Sequence, residues 1–325
     1  MARAAGVTEA PAAPADADEP RRPARRRRRS SRVSSLPLHL MLLPAVVVVI
    51  IYEYGPMVGI VMAFQDYVPA FGFFGSDWVG FDNFEFVLSL PDTRQVVWNT
   101  IFIASMKIVA GLIAPLVTAL LLNEVGKAAF RRSVQTVIYL PHFMSWVILG
   151  GILIDVLSPS DGIVNQILGV FGVDPIYFLG DNDWFPYTLV ASDVWKEFGF
   201  TTIVYLAAIT SIDPTLYEVA SVDGAGRLRQ TWHITLPGMA PIIVLLATLS
   251  LGNVLNAGFE QVFVMYSPQV YDSGDIIDTF VFRLGLIDFQ YSAAAAVGLF
   301  KSVVSLLFIG LSYFLAVRFA RYRIF

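Results

Sequence analysis

Apolar residues fall along the chain in six long runs, approximately Leu36 to Phe64, Val96 to Leu122, Val134 to Leu157, Trp184 to Ile212, Gly238 to Val264 and Ser292 to Phe319. Each run is long enough to cross about 30 Å of hydrocarbon at ~1.5 Å per helical residue. The pattern therefore predicts six transmembrane helices. Pro44, Pro115 and Pro141 fall inside runs, where membrane helices tolerate proline if neighbours re-satisfy the backbone. Between the fourth and fifth runs lies a polar island, Glu218 to Pro237, reading EVASVDGAGRLRQTWHITLP. Asp213 can cap a helix whose first position is Pro214 and which runs through Glu218 to about Asp223. Gly224 and Gly226 then break it. A second short helix carries Leu228 and Trp232 on one face, and Leu236-Pro237 ends it before the fifth run. The predicted product is a helix-glycine-helix elbow lying across a membrane surface. An ordinary loop joining two spans is the competing reading.

Composition places the chain in its class. Of 325 residues, 56% are hydrophobic and 15% charged, with a mean hydropathy of +0.65. This is a polytopic membrane protein of the all-α class, not two soluble domains. There is no cysteine, so disulfide and thiolate chemistry are excluded.

The net charge of -4 hides a strong asymmetry. Residues 1–35 are rich in Ala, Pro, Asp and Arg and end in the run Arg25 to Arg29 and Arg32. Such a segment cannot bury a core and is predicted to be a disordered basic tail. The apolar run that follows has no small-residue cleavage site, so the two together read as an uncleaved signal-anchor, the tail held inside and near anionic lipid. Nucleic-acid binding by the tail is disfavoured, because no aromatic residues are interleaved with its arginines.

Basic residues in the connections set the orientation. Lys127, Arg131 and Arg132 follow the second run, Arg227 and Arg229 sit in the elbow, and Arg318, Arg321 and Arg323 close the chain. The other connections are acidic, with Arg94 and Arg283 their only basic residues. Both termini and the elbow are predicted to be cytoplasmic. The opposite side is rich in aromatics, from Tyr67 to Phe86 and from Tyr177 to Trp184, as an interfacial belt requires. The last external segment, Phe263 to Tyr291, is long enough to fold against a docking protein.

No site chemistry for catalysis is legible. The chain has no phosphate-binding loop of the Gly-x-x-x-x-Gly-Lys type, and Gly224-Ala225-Gly226 lacks a third glycine and a preceding strand. His39, His142 and His233 are scattered without i, i+4 partners, which argues against a metal site. The subunit reads as non-catalytic.

Charges inside the spans are informative, since each costs roughly 2.5 to 3.5 kcal/mol at mid-membrane. Asp193, Lys196 and Glu197 fall at i, i+3 and i+4 on one face of the fourth run, and Asn253, Asn256 and Glu260 are expected to share a face of the fifth. Lys107 and Lys301 stand as lone charges in the second and sixth. Two readings stay open. Either these groups pair and join helices, or the faces of the fourth and fifth runs line a polar conduit.

The residue order of the island adds a resemblance. Glu218, Ala220, Asp223, Gly224, Ala225, Ile234, Leu236 and Pro237 fall where the EAA motif of ABC importer permeases has Glu, Ala, Asp-Gly-Ala and Ile-x-Leu-Pro. Val219 and Thr231 depart from that pattern, which bears on how the two short helices pack. The stretches WVGFDNFEF, VWKEFGFTTIVYLAAI, FEQVFVMYSPQVYDSGDIIDTFVFRLGL and AVGLFKSV extend the likeness across residues 36–325. They resemble the carbohydrate-uptake branch that imports polysaccharide-derived oligosaccharides.

The resemblance implies a type I ABC importer (MetI-like) permease fold in a bacterial plasma membrane. It also implies a second, related permease, two ATPase subunits that bind ATP and Mg, and an extracytoplasmic solute-binding protein. The elbow, 213–237, would seat in an ATPase cleft, with Glu218 facing a basic residue. The alternatives are an ion-coupled secondary carrier using the Asp193, Lys196 and Glu197 face as a relay, or an importer of a different small solute such as a sugar phosphate.

Overall fold

A computed structural model describes residues 36–320. The basic tail, Arg321 and Arg323 lie outside the described residues. The chain divides into two units, Met1–Gly55 and Pro56–Phe325. The described part of the first is helix α1 (Leu36–Val49) and a π-helical turn, Ile50–Tyr54. All that follows concerns the second unit.

That unit is helical almost throughout, apart from the two-residue strands β1 (Gln65–Asp66) and β2 (Asp77–Trp78), which pair antiparallel. Its helices are α2 (Asp82–Ser89), α3 (Pro91–Glu124), α4 (Ala128–Tyr139), α5 (Trp146–Val156), α6 (Ile163–Val170), α7 (Phe185–Thr210), α8 (Pro214–Val222), α9 (Leu236–Gly252), α10 (Phe259–Met265), α11 (Ile277–Phe282) and α12 (Tyr291–Ala320). Helices α3 and α7 pack along much of their lengths, and α9 packs on α12. Buried apolar clusters form where they meet, one around Tyr205 and Met239, another around Phe185, Leu189 and Val262.

Among the described residues, four helical stretches are long and apolar enough to span a membrane: His39–Phe64, Pro91–Glu124, Arg227–Gly252 and Tyr291–Phe314. The third predicted run is bent by 105° between Ala128–Phe143 and Trp146–Val156, a fifth span if the two halves are taken as one. Pro141 lies in the 3₁₀ turn Leu140–Phe143 ahead of the bend, and Ser145 caps the outgoing helix through the Ile148 N–H. The fourth run forms α7, whose 26 residues reach roughly 39 Å at ~1.5 Å per residue. It is long enough to span, but it carries Asp193, Lys196 and Glu197.

Two boundaries of the fifth run differ from expectation. Leu236-Pro237 does not end the short second helix of the elbow, because Arg227 to Gly252 is one helical stretch. Proline has no N–H, and its ring would strike the carbonyl four residues back. The chain absorbs this with a π-helical turn at Thr231–Thr235, in which the Leu236 N–H donates to the Thr231 carbonyl five residues earlier.

At its other end α9 stops at Gly252. Residues 253–258 cross without helix, and α10 starts after Gly258, whose φ of 92° lies where glycine alone is unstrained. Asn253, Asn256 and Glu260 therefore do not share a helical face. The break separates the two asparagines from the glutamate.

The external segments fold onto the bundle. Phe64 stacks on Trp78 at 5.7 Å and packs against Phe81 and Phe84, while Phe71 and Phe74 stay exposed. Phe263 to Tyr291 is not a free flap: Val270, Ile276, Ile277 and Phe280 are buried. The Asn99 amide of α3 donates to the Asp272 and Asp275 carbonyls at 3.1 Å, and Thr100 Oγ1 accepts the Ile277 N–H.

Candidate functional site

The elbow is built as its residues dictate. Asp213 caps α8 by accepting the Thr215 N–H at 2.9 Å, and that bond holds its carboxyl below the ordinary value. Pro214 occupies the first turn, where a missing N–H costs nothing. At the far end Gly224 takes φ 76°, and two bonds close a Schellman turn: Gly224 N–H to Ser221 O at 3.1 Å and Ala225 N–H to Ala220 O at 2.9 Å. Gln230 returns its amide to Ser221 Oγ and to the Ala225 carbonyl, both at 3.0 Å. The two arms are thus clamped across the glycine.

The clamp decides what faces outward. Glu218, Asp223 and Gly224 are exposed, Ala220, Ala225, Ile234 and Leu236 are half-buried, and Pro237 is exposed. Large apolar side chains are also uncovered: Val219 at 61%, Val222 at 88% and Leu228 at 79%. Water-facing valine and leucine around one free carboxylate make a docking surface, since scattered exposure would not place them on consecutive turns of one element. Trp232, one place after the expected aromatic position, is exposed as well. Arg227 pairs with Glu124 at the end of α3, 2.8 Å away.

The charges inside the bundle are paired rather than alone. Lys107 of α3 lies 3.3 Å from Asp193 of α7. Its Nζ also donates to the Ala257 carbonyl at 2.7 Å and to Gln261 Oε1. Lys301 likewise pairs with Asp278 of α11. Both lysines read as lone charges in the sequence; each has its counter-charge on a different helix.

The Asp193, Lys196 and Glu197 face is split between two sites. Asp193 faces Lys107, whereas Lys196 lies 2.8 Å from Glu197 and donates to the His142 carbonyl at 3.2 Å. Glu197 also meets His142 Nδ1 at 2.7 Å, and the imidazole stacks on Phe200 at 4.3 Å. This second cluster sits at the bend of the third run, with Lys196 above the Trp146 ring. Asn253, Asn256 and Glu260 are all exposed on this chain. Among the described residues, no group of three His, Asp or Glu side chains converges as metal ligands.

Sequence reasoning missed Gln261, Ser192 and His142. Gln261 is fully buried and donates to the Leu189 carbonyl and Ser192 Oγ at 2.7 and 2.8 Å. The available signal was the lysine itself: an ammonium in a span requires partners, and Gln261 is the amide next to the only glycine of the break that turns left-handed.

Comparison with known proteins places these features. The family described as "Binding-protein-dependent transport system inner membrane component" matches residues 107–321, which include the elbow and every member of the Lys107 cluster. The chain is 43% identical over 282 residues to protein LplB of Bacillus subtilis (strain 168), covering 87% of this chain and 89% of that protein. It is 43% identical over 282 residues to the polygalacturonan/rhamnogalacturonan transport system permease protein YteP of the same organism, covering 87% and 88%. The crystal structure of a bacterial alginate ABC transporter in complex with alginate pentasaccharide-bound periplasmic protein matches at 39% identity and a TM-score of 0.80, covering 87% of this chain and 95% of that one. The chain belongs to the family of inner membrane components of binding-protein-dependent transport systems.

Proposed function

We propose that this chain is the permease subunit of an ATP-driven importer of polysaccharide-derived oligosaccharides. The names of its relatives, for pectic polymers and for alginate, support that cargo class, and both include uronate polymers. A second, related permease completes the pathway, and an extracytoplasmic binding protein delivers the sugar. Two ATPase subunits hold ATP and Mg; this chain contributes no catalytic group. It sits in the bacterial plasma membrane with both termini and the elbow cytoplasmic.

The elbow carries the reading. Its clamped turn presents Glu218, Val219 and Val222 from one arm and Leu228 from the other, uncovered and fixed relative to one another. Such a surface transmits force: when ATP closes the ATPase pair, a rigid elbow moves as a body and carries the spans joined to it. Glu218 pairs with a basic residue of the ATPase, and the valines and leucine fill its cleft. Hydrolysis and product release reset the assembly.

The test is reconstitution of the whole transporter with Glu218→Ala or Gly224→Leu, using a labelled galacturonate or alginate oligosaccharide. Uptake is expected to fall and ATP hydrolysis to lose its stimulation by loaded binding protein, with membrane insertion unchanged. Full coupled activity of both variants would refute the assignment. Uptake that persists without ATP under a clamped ion gradient would favour the ion-coupled carrier instead.

A further inference from the structure

The Lys107 cluster is saturated. The ammonium has three protons and three acceptors, Asp193, the Ala257 carbonyl and Gln261 Oε1. Gln261 accepts from Lys107 and spends both amide protons, on Leu189 O and Ser192 Oγ. Ser192 passes its own proton to Thr188 O at 2.6 Å. Three pieces of the fold meet here: α3 supplies the lysine, α7 the aspartate and serine, and the broken fifth span the carbonyl and amide.

The placement within the break is informative. Ala257 and Gln261, which Lys107 holds, flank the left-handed Gly258, and a Cβ at that glycine would lie 3.1 Å from Lys107 Nζ. The exposed Asn256 and Glu260 are the immediate neighbours of the two gripped residues. A grip on 257 and 261 therefore fixes where 256 and 260 point.

We infer that Lys107 is the positioning residue of the fifth-span break: with Asp193 as its counter-charge it anchors residues 256–260, and so sets how Asn256 and Glu260 are presented on the open face of the bundle. The inference deepens the transport reading, in which those two side chains line the sugar path. The anchoring itself does not depend on which sugar passes. A pair of charges kept in a span at a cost of kcal/mol each needs such a return, because an apolar pair of similar size would join α3 and α7 as well.

The chain has no cysteine, so single thiols report without background. N256C and V170C would be made in the complete transporter in native membranes, each alone and each with K107M/D193N, which removes both charges and leaves neither unpaired. N-ethylmaleimide is the probe. The N256C modification rate is expected to change by about fivefold or more in the neutral background, while V170C on the external helix α6 keeps its rate. A purely stabilising role would lower the amount of complex and leave the N256C rate of the assembled fraction unchanged; that result overturns the inference. If K107M/D193N does not insert, K107R keeps the charge and displaces the anchor, and an unchanged N256C rate in it overturns the inference equally. Uptake by Asn256→Leu, measured separately, tests the sugar path, so the two ideas fail independently.

Discussion

The Tyr217 hydroxyl lies 3.0 Å from Thr235 Oγ1, joining the first arm of the elbow to the π-helical turn that leads into the fifth span. Thr235 is buried and Tyr217 half-buried, so this bond lies at the base of the elbow, out of reach of anything that docks on its outer face. It is how movement of α8 reaches α9. Tyr217→Phe keeps the ring and removes the bond, leaving a buried hydroxyl short of a partner at a cost of about 1 kcal/mol. The expected outcome is a small drop in the melting temperature of the purified complex and more ATP hydrolysed per sugar transported. Unchanged stoichiometry would show that the arms move together without this bond.

Gly224 and Gly226 separate conformational strain from crowding. A Cβ at either position meets nothing within 4 Å, but Gly224 has φ +76° and Gly226 does not enter that region. Gly224→Val therefore carries a purely conformational cost of roughly 1–2 kcal/mol, and Gly224→Asn less, because asparagine visits the left-handed region. Gly226→Ala is expected to be neutral or slightly stabilising. Co-purification of the ATPase should fall for Gly224→Val alone. Equal loss at Gly226→Ala would mean that the partner reads the surface of the turn and not its conformation.

On the external side, burial pushes the Tyr266 phenol up to about 12, with the neighbouring Tyr271 and Asp275 adding to the shift. The ring lies 5.2 Å from Tyr271, which in turn lies under the Arg283 guanidinium. In the unfolded chain the phenol loses its proton near 10.0, whereas the folded protein holds it to about 12. The folded state thus binds more protons in that window, so this contribution to stability is complete below pH 10 and is lost as pH rises through 12. Tyr266→Phe should flatten that part of the alkaline unfolding profile. An identical profile would assign the alkaline loss to other groups.

The elbow was legible because its chemistry is local: a capping aspartate before a proline and a glycine at the end of the turn act within a few residues of themselves. The continuation through Leu236-Pro237 was not, since a π-helical turn that absorbs a proline leaves no residue-type signature. The break after Gly252 was hidden inside an apolar run, although LGNVLNAG carries two glycines and two asparagines, residues that favour turns. Hydropathy outweighed them in a long window. Pairings such as Lys107 with Asp193, Lys301 with Asp278 and His142 with Glu197 depend on which helices become neighbours. Spacing within one run could group Asp193 with Lys196 and Glu197, but it could not say that they divide between two sites.

That division changes what can line a path. Asp193 is committed to Lys107, and Lys196 to Glu197 and the His142 carbonyl, so the fourth span offers saturated pairs rather than free hydrogen-bonding groups. Asn253, Asn256 and Glu260 are the exposed polar side chains at the break of the fifth span, and of these only Asn253 bonds into its own helix, to the Leu249 carbonyl. Sugar hydroxyls need donors and acceptors that are not already in use, and Asn256 supplies both. Replacing Asn256 by Leu and Glu260 by Ala should therefore abolish uptake of a labelled uronate oligosaccharide while the assembled complex accumulates normally and its ATPase still responds to the elbow. Because both side chains are exposed, the folding cost is expected to stay within ~0.5 kcal/mol. Undiminished uptake would remove the fifth-span break from the path and direct attention to the His142, Lys196 and Glu197 cluster at the bend of the third.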